Sequence, residues 1–264
     1  MELLCPICGE ELHKQERQLV CANRHSFDVA RQGYVNLLPV QNKRSLNPGD
    51  TREQVLARRR FLEGGFYEPI SNALNELAKD CVGPVLDAGC GEGYYSARLA
   101  KAMGAELVGL DISKEAVRCA AAAYKDALWL CASAARLPVK DHSVGLITSL
   151  FAMTDAKEFH RALIPGGYFI RVLAAPDHLM GLKSVIYDQV FQKQKEGMTE
   201  LPGFVLEKTV PVRFEVSLQG QQVQDLLYMT PHVYRIGKAG ADRLRQTCRL
   251  TDHASCILGL YRAQ

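Results

Sequence analysis

Two groups of residues in this 264-residue chain have the types and the spacing to do chemistry. The first is Cys5-Pro6-Ile7-Cys8, followed by Cys21-Ala22-Asn23-Arg24-His25. A CxxC turn brings both sulfurs to one side, and a second pair at comparable spacing completes three thiolates and one imidazole, the closed ligand set of a structural Zn2+. Four protein ligands leave no position for water, so this metal is assigned to folding and not to catalysis. A redox CxxC beside an unrelated Cys and His is the competing reading, but such a pair belongs at a strand-to-helix turn of a main domain.

The second group is Val85-Leu86-Asp87-Ala88-Gly89-Cys90-Gly91-Glu92-Gly93-Tyr94, an apolar strand that passes through three alternating glycines into a helix. The glycines permit a tight turn and close approach of backbone to a ligand. Glu92 lies where a dinucleotide would place its pyrophosphate, and its carboxylate would repel that group. Asp111 ends the next strand, at the position expected to bind a ribose diol. A ligand with a ribose, no phosphate and a positive charge fits these carboxylates, and S-adenosylmethionine has those properties; a nicotinamide or flavin dinucleotide fits less well. Cofactor contacts are therefore expected at Asp87, Gly89, Gly91, Glu92, Gly93 and Asp111. Ala132 and Ser133, at the end of the third strand, would leave room for an adenine.

Elements must hold these groups in place. Short β-branched runs at 85–88, 107–110, 128–131, 144–150 and 168–173 alternate with helical patterns near 93–102, 114–124 and 155–163. That alternation implies βαβ units and a parallel sheet, an α/β fold. Pro165-Gly166-Gly167-Tyr168 reads as a sharp turn from helix into strand. Residues 1–38 form a zinc-binding domain too small for a core of its own, where metal binding supplies folding energy. Residues 39–80 read as a basic linker with helices, and 81–264 as the cofactor-binding domain.

Composition sets outer limits. With 47% hydrophobic and 23% charged residues the chain is ordinary for a globular protein, and its apolar runs are too short to cross a bilayer. No basic segment followed by an apolar stretch opens the sequence, so a secretory signal is not expected. Nine cysteines, several inside apolar runs (Cys81, Cys90, Cys131), exclude a disulfide scaffold and suggest a cytoplasmic location. The net charge is only +3, yet residues 31–60 hold seven basic and two acidic residues. Lys43, Arg44, Arg58, Arg59 and Arg60 within that stretch are candidate RNA-backbone contacts.

The DxGCGxG string, the acidic residue after the second strand and the IPGG segment resemble class I methyltransferases that use S-adenosylmethionine. The segment from Cys5 to Asp50, with Arg59–Tyr67 (RRFLEGGFY), Leu86–Tyr95 (LDAGCGEGYY), Pro176–Met180 (PDHLM) and Met229–Arg235 (MTPHVYR), more narrowly resembles the bacterial guanine-N1 methyltransferases of large-subunit ribosomal RNA. That resemblance implies a Rossmann-like catalytic domain with a mostly parallel seven-stranded sheet and a small N-terminal zinc domain. It implies methylation of guanine N1 in a ribosomal RNA stem-loop, resistance to macrolides such as tylosin in some members, and pairing into a homodimer in others. It places zinc ligands on Cys5, Cys8, Cys21 and His25, and adds Tyr67 and His178 to the cofactor contacts. Where relatives often carry Ala-Pro after strand four, this chain has Ala152-Met153.

Guanine N1 must lose a proton, which calls for a carboxylate, a histidine or water as acceptor. Asp155 and His178, each following a strand end, are the candidates. The atom lies on the Watson–Crick edge, so a paired guanine must first be opened or flipped. The competing functions are a small-molecule methyltransferase that carries a structural zinc domain, and a non-catalytic RNA-binding protein that keeps the fold.

Overall fold

The computed structural model describes residues 1–39, 48–190 and 197–264. The N-terminal segment forms an antiparallel sheet of β1 (Leu12–Gln15), β2 (Gln18–Cys21) and β3 (Ser26–Asp28). The chain then gives one short strand, β4 (Tyr34–Asn36), to the main sheet.

The main sheet is built around β5 (Val85–Ala88), β6 (Leu107–Asp111), β7 (Leu128–Cys131), β8 (Val144–Leu150) and β9 (Leu163–Ala174). Two long strands, β10 (Phe204–Gln219) and β11 (Arg249–Ala263), complete it in the order β10-β11-β9-β8-β5-β6-β7-β4. The sheet therefore has eight strands, not the expected seven, because β4 is donated from the N-terminal segment. β4, β7, β6, β5, β8 and β9 run parallel, and β11 and β10 pair antiparallel at the far side.

The expected turn at Pro165–Gly167 is instead a bulge inside β9. The register against β8 jumps from Val144↔Leu163 to Leu146↔Tyr168, and Gly166 takes φ 73° where that extra length is absorbed.

Side chains of the central strands point alternately into two apolar layers, as expected of parallel strands buried on both faces. Val85, Leu107, Leu146 and Ile170 face α1 (Arg52–Glu63), α2 (Glu68–Leu77), α3 (Tyr94–Met103) and α4 (Lys114–Ala123). The same layer takes in α6 (Met180–Ile186), α7 (Gln221–Tyr228) and α8 (Lys238–Gln246). Leu86, Val108, Leu130, Ile147 and Phe169 face the other way, toward α5 (Ala156–Ala162) and the zinc segment. Leu3, Cys5, Leu12, Leu19 and Cys21 belong to this second layer. A bridge between Leu3 and Val139, and the bond from Leu4 N–H to Pro138 O at 2.9 Å, tie the segment down. The zinc segment, too small for a core of its own, thus covers a sheet face and shares the main core.

β5 lies between β6 and β8, so the strand order reverses at β5, and the crevice outside its carboxyl end is where such sheets bind ligands.

Candidate active site and metal centre

Cys5, Cys8, Cys21 and His25 come together in the N-terminal segment, with all ligand atoms within 4.8 Å of one another. Cys8 Sγ stands 3.7 Å from Cys21 Sγ, and His25 Nδ1 stands 3.4 Å from Cys21 Sγ and 3.6 Å from Cys5 Sγ. Zn–S bonds of about 2.3 Å and a Zn–N bond of about 2.0 Å at tetrahedral angles give edges of roughly 3.5–3.8 Å. The four residues fit zinc, with Nδ1 as the imidazole ligand. Tight turns shape both halves: Gly9 (φ 80°) bonds back to Cys5 O, and Arg24 (φ 61°) to Cys21 O.

A cleft of about 730 Å³ opens at the carboxyl ends of β5, β6, β8 and β9, within the ~300–1,000 Å³ usual for ligand sites. Its acidic end is built by the glycine loop. Asp87 is buried and accepts bonds from Ser96 Oγ and, at 2.8 Å, Thr148 Oγ1. Asp111 pins the loop, accepting Gly91 N–H at 3.0 Å and Ser113 N–H at 2.8 Å. Burial raises all three carboxyls: Asp87 to about 6, Glu92 to about 7, and Asp111 above the usual range. Glu92 Oε1 and Tyr95 Oη are buried without hydrogen-bond partners although both residues line the cleft. Orphaned polar atoms of this kind call for a polar ligand. Asp87, Glu92 and Asp111 gather at the loop, the Arg58 guanidinium beside it already pairs with Asp50, and the residues present fit a nucleoside carrying positive charge, S-adenosylmethionine.

The glycines divide their duties. Gly91 (φ 56°) lines the cleft, and a Cβ there would meet nothing closer than Arg58 Nη1 at 3.7 Å. Gly93 (φ 88°) backs onto Trp129, where a Cβ would sit 2.6 Å from the indole. Gly93 therefore serves packing, a correction to its expected place as a ligand contact. Ala132 and Ser133 also lie outside the cleft lining. Ala132 is buried with its N–H on Asp111 O, and Ser133 Oγ accepts Ala135 N–H in its own turn.

Tyr67 is buried over the cleft, with Oη 3.5 Å from His178 Nε2 and its ring edge-on to Phe61 and Phe214. Burial pushes the Tyr67 hydroxyl far above its ordinary range. His178 Nδ1 accepts Ser255 N–H at 3.1 Å, so the neutral ring carries its proton on Nε2, the atom directed at Tyr67. The ring presents a donor there, which argues against His178 as the base. Asp155 is corrected more firmly: it caps α5, accepting Glu158 N–H at 3.1 Å, and does not line the cleft.

The basic stretch also differs from expectation. Arg58 enters the cleft, pairing with Asp50 and donating to Met229 O at 3.3 Å. Arg59 bonds Glu63 at 2.7 Å and Cys119, and Arg60 makes a two-pronged pair with the buried Asp225 at 2.9 and 2.5 Å. These three arginines serve the fold or the cleft instead of forming a free cationic face. Lys43 and Arg44 lie outside the described residues.

Sequence reasoning missed Asp50, Tyr95, Arg171, Lys183 and the wall formed by Tyr228–His232 and Tyr234. The Met229–Arg235 string was the available signal. That wall is latched to α1 by Tyr234 Oη donating to Gln54 Oε1 at 2.8 Å. Gln54 also closes a capping box with Thr51.

Comparison with known proteins follows the same two-part layout. Residues 3–46 match the family model of the RlmA N-terminal zinc ribbon, and residues 86–171 match a methyltransferase domain. “Putative 23S rRNA (guanine-N(1)-)-methyltransferase YxjB” of Bacillus subtilis (strain 168) is 30% identical over 97% of this chain and 96% of its own length. The chain belongs to the 23S rRNA (guanine-N1)-methyltransferase family. Another relative, the “23S rRNA (guanine(748)-N(1))-methyltransferase” of Streptomyces fradiae, is 37% identical over 74% of this chain and 71% of that one. Among solved structures, one described as “Conversion of a Disulfide Bond into a Thioacetal Group during Echinomycin Biosynthesis” superposes with TM-score 0.50 at 19% identity. It covers 74% of this chain and 82% of that one, a likeness of fold alone. No helix among the described residues is long and apolar enough to cross a membrane.

Proposed function

We propose that this methyltransferase transfers the methyl group of S-adenosylmethionine to N1 of a guanine in a stem-loop of 23S ribosomal RNA, in the cytoplasm. The observation that supports the reading is a relative named as a 23S rRNA (guanine-N(1)-)-methyltransferase, 30% identical over 97% of the chain.

S-adenosylmethionine, when bound, supplies an electrophilic methyl group. The chain's own residues then have distinct tasks. Asp111 fixes the glycine loop through Gly91 and offers its remaining lone pairs to ribose hydroxyls. Glu92 and Asp87 supply negative charge where a cationic donor rests. Tyr67 and His178 meet in the cleft lining, as do Arg58 and Asp50. Methyl transfer is a direct displacement, so alignment of two reactants within a water-poor cleft does most of the work. A guanine reaches this cleft only after leaving its helix, because N1 is on its pairing edge.

Backbone contacts fall to exposed cations around the cleft mouth instead of the paired Arg59 and Arg60. Arg52 follows the Thr51 cap, Lys114 follows Ser113, and Arg235 follows Tyr234. Ser113 Oγ donates to Asp50 O and Tyr234 to Gln54, which brings these three segments to one rim. The homodimer implied by the family resemblance is tested by light scattering of the purified protein.

The deciding experiment is mass mapping of 23S RNA from cells with and without the gene. N1-methylguanine present only with the gene supports the assignment, and identical maps overturn it.

A further inference from the structure

The cleft has two electrical ends. Asp50, Asp87, Glu92 and Asp111 gather at β5, β6 and the start of α1. Across β8 from them, β9 and α6 bring Arg171 and Lys183 to the same cleft, and neither forms an ion pair among the described residues. Arg171 Nε is buried and has no hydrogen-bond partner. Its guanidinium lies beside the Tyr261 hydroxyl, whose hydrogen goes to Thr199 O at 2.9 Å, so the side chain is anchored at one end while Nε stays unspent.

Phe151 closes the same corner. Its N–H bonds Val172 O at 2.9 Å, next to Arg171, and its ring lies stacked near His178 at 27° and 6.3 Å. The residue is 42% exposed and its backbone takes φ 55°, a costly conformation for a phenylalanine. A strained backbone that holds a flat apolar face in the same cleft as an unspent donor is arranged to receive a planar ligand.

We infer that Arg171 donates to O6 of the target guanine and holds the negative charge that gathers there as N1 is deprotonated, with Phe151 as the adjoining base platform. This inference rests on the 23S RNA reading above. When the N1 proton leaves to solvent water, its bonding pair stays on the ring and is shared between N1 and O6. That pair forms the new N1–C bond, while the pair of the broken C–S bond goes to sulfur. A fixed cationic donor at O6 favours the state that has lost its proton and needs no reorganisation to do so. It also distinguishes guanine from adenine, which carries a donor amino group at the equivalent position and leaves the arginine unanswered.

The test uses the full-length zinc-loaded protein, a transcribed 23S RNA fragment and single-turnover methylation across pH, with S-adenosylmethionine affinity measured by calorimetry. Arg171→Gln is expected to lower the rate about 100-fold, in line with losing one preorganised donor. The rising limb of the pH profile should move at least one unit upward while cofactor affinity stays within twofold. Arg171→Lys, which keeps the charge but displaces the donor, should fall between. An Arg171→Gln rate and profile equal to wild type would overturn the inference. So would a loss confined to cofactor affinity with an unshifted profile, which would assign Arg171 to the donor's carboxylate. If the glutamine variant fails to fold, a lysine variant with wild-type rate and profile overturns it equally. A wild-type protein that makes no N1-methylguanine would sink the functional reading first, before any variant is compared.

Discussion

In the zinc ribbon, four ligand residues between Cys5 and His25 converge until all their donor atoms lie within 4.8 Å of one another. In the cleft, residues from Gly49 to Tyr234 converge, and Glu92 Oε1, Tyr95 Oη and Arg171 Nε are left without partners. Polar groups that answer one another hold a fold together, whereas buried ones left unanswered reserve their interaction for a ligand. The two sites therefore differ in kind: one is finished by its metal, the other is held ready for something that comes and goes.

Removing zinc should give the largest effect. Structural zinc contributes roughly 10–16 kcal/mol in finger peptides, so Cys21→Ser or strong chelation should unfold β1–β3. Because the ribbon covers Leu86, Val108 and Leu130, the melting temperature of the whole protein should drop by more than about 10 °C, read by calorimetry. An apo protein that melts at the wild-type temperature would mean that the ribbon is an independent appendage. Next in size is Asp111→Ala, which frees the Gly91 and Ser113 amides. Two lost charge-assisted bonds at about 1.5 kcal/mol each predict about a 100-fold weaker S-adenosylmethionine affinity with little change in zinc content.

Arg60→Ala should cost about 2 kcal/mol of stability by leaving Asp225 buried and less fully paired, measured by urea unfolding, and should leave the salt dependence of RNA binding unchanged. Arg52→Ala should do the reverse, sparing stability and reducing the salt slope by about one. The smallest effect is on pH. Asp87 and Glu92, raised to about 6 and 7, must be ionised to attract a sulfonium, so cofactor affinity should fall as pH drops through 7 and then 6. The fall should be at most about tenfold per unit for each of the two groups. Glu92→Gln should flatten the step near 7, and S-adenosylhomocysteine, which lacks the positive sulfur, should show little dependence. The free protein follows the opposite sign. Both folded-state values lie above their unfolded ones, so these carboxyls favour folding at low pH, and that contribution is lost as pH rises through 6 and 7.

What the sequence made legible was local. Cys5, Cys8, Cys21 and His25 are joined by short turns, and Asp87 to Glu92 by one strand-to-helix loop, so spacing alone brought the first four together and put the second group along the cleft. The central strands β5 to β8 carry continuous apolar runs and were visible for the same reason. β10 and β11 were not: their exposed and buried residues alternate over 16 and 15 residues, and what makes them part of the sheet is pairing with each other and with β9. Arg58, Arg59 and Arg60 read as a basic face because their partners Asp50, Cys119 and Asp225 are remote or inconspicuous in sequence. Arg171 escaped notice for the converse reason, as a single charge within an apolar strand whose significance depends on a cavity. Asp155 was misjudged because a strand end and a helix cap occupy the same stretch of chain.

β10 reaches the sheet only through β11, which is made later than β9 and β10 and yet lies between them. During synthesis the nascent chain must hold an unzipped edge of β9 and a stranded β10 until residues 249–263 emerge, with Cys256 and Leu258 the plugs that seal the gap. Long-range closures of this sort are slow and leave sticky edges exposed. A stop between Gln219 and Arg249 would therefore leave an open, aggregation-prone half-sheet instead of a shortened enzyme.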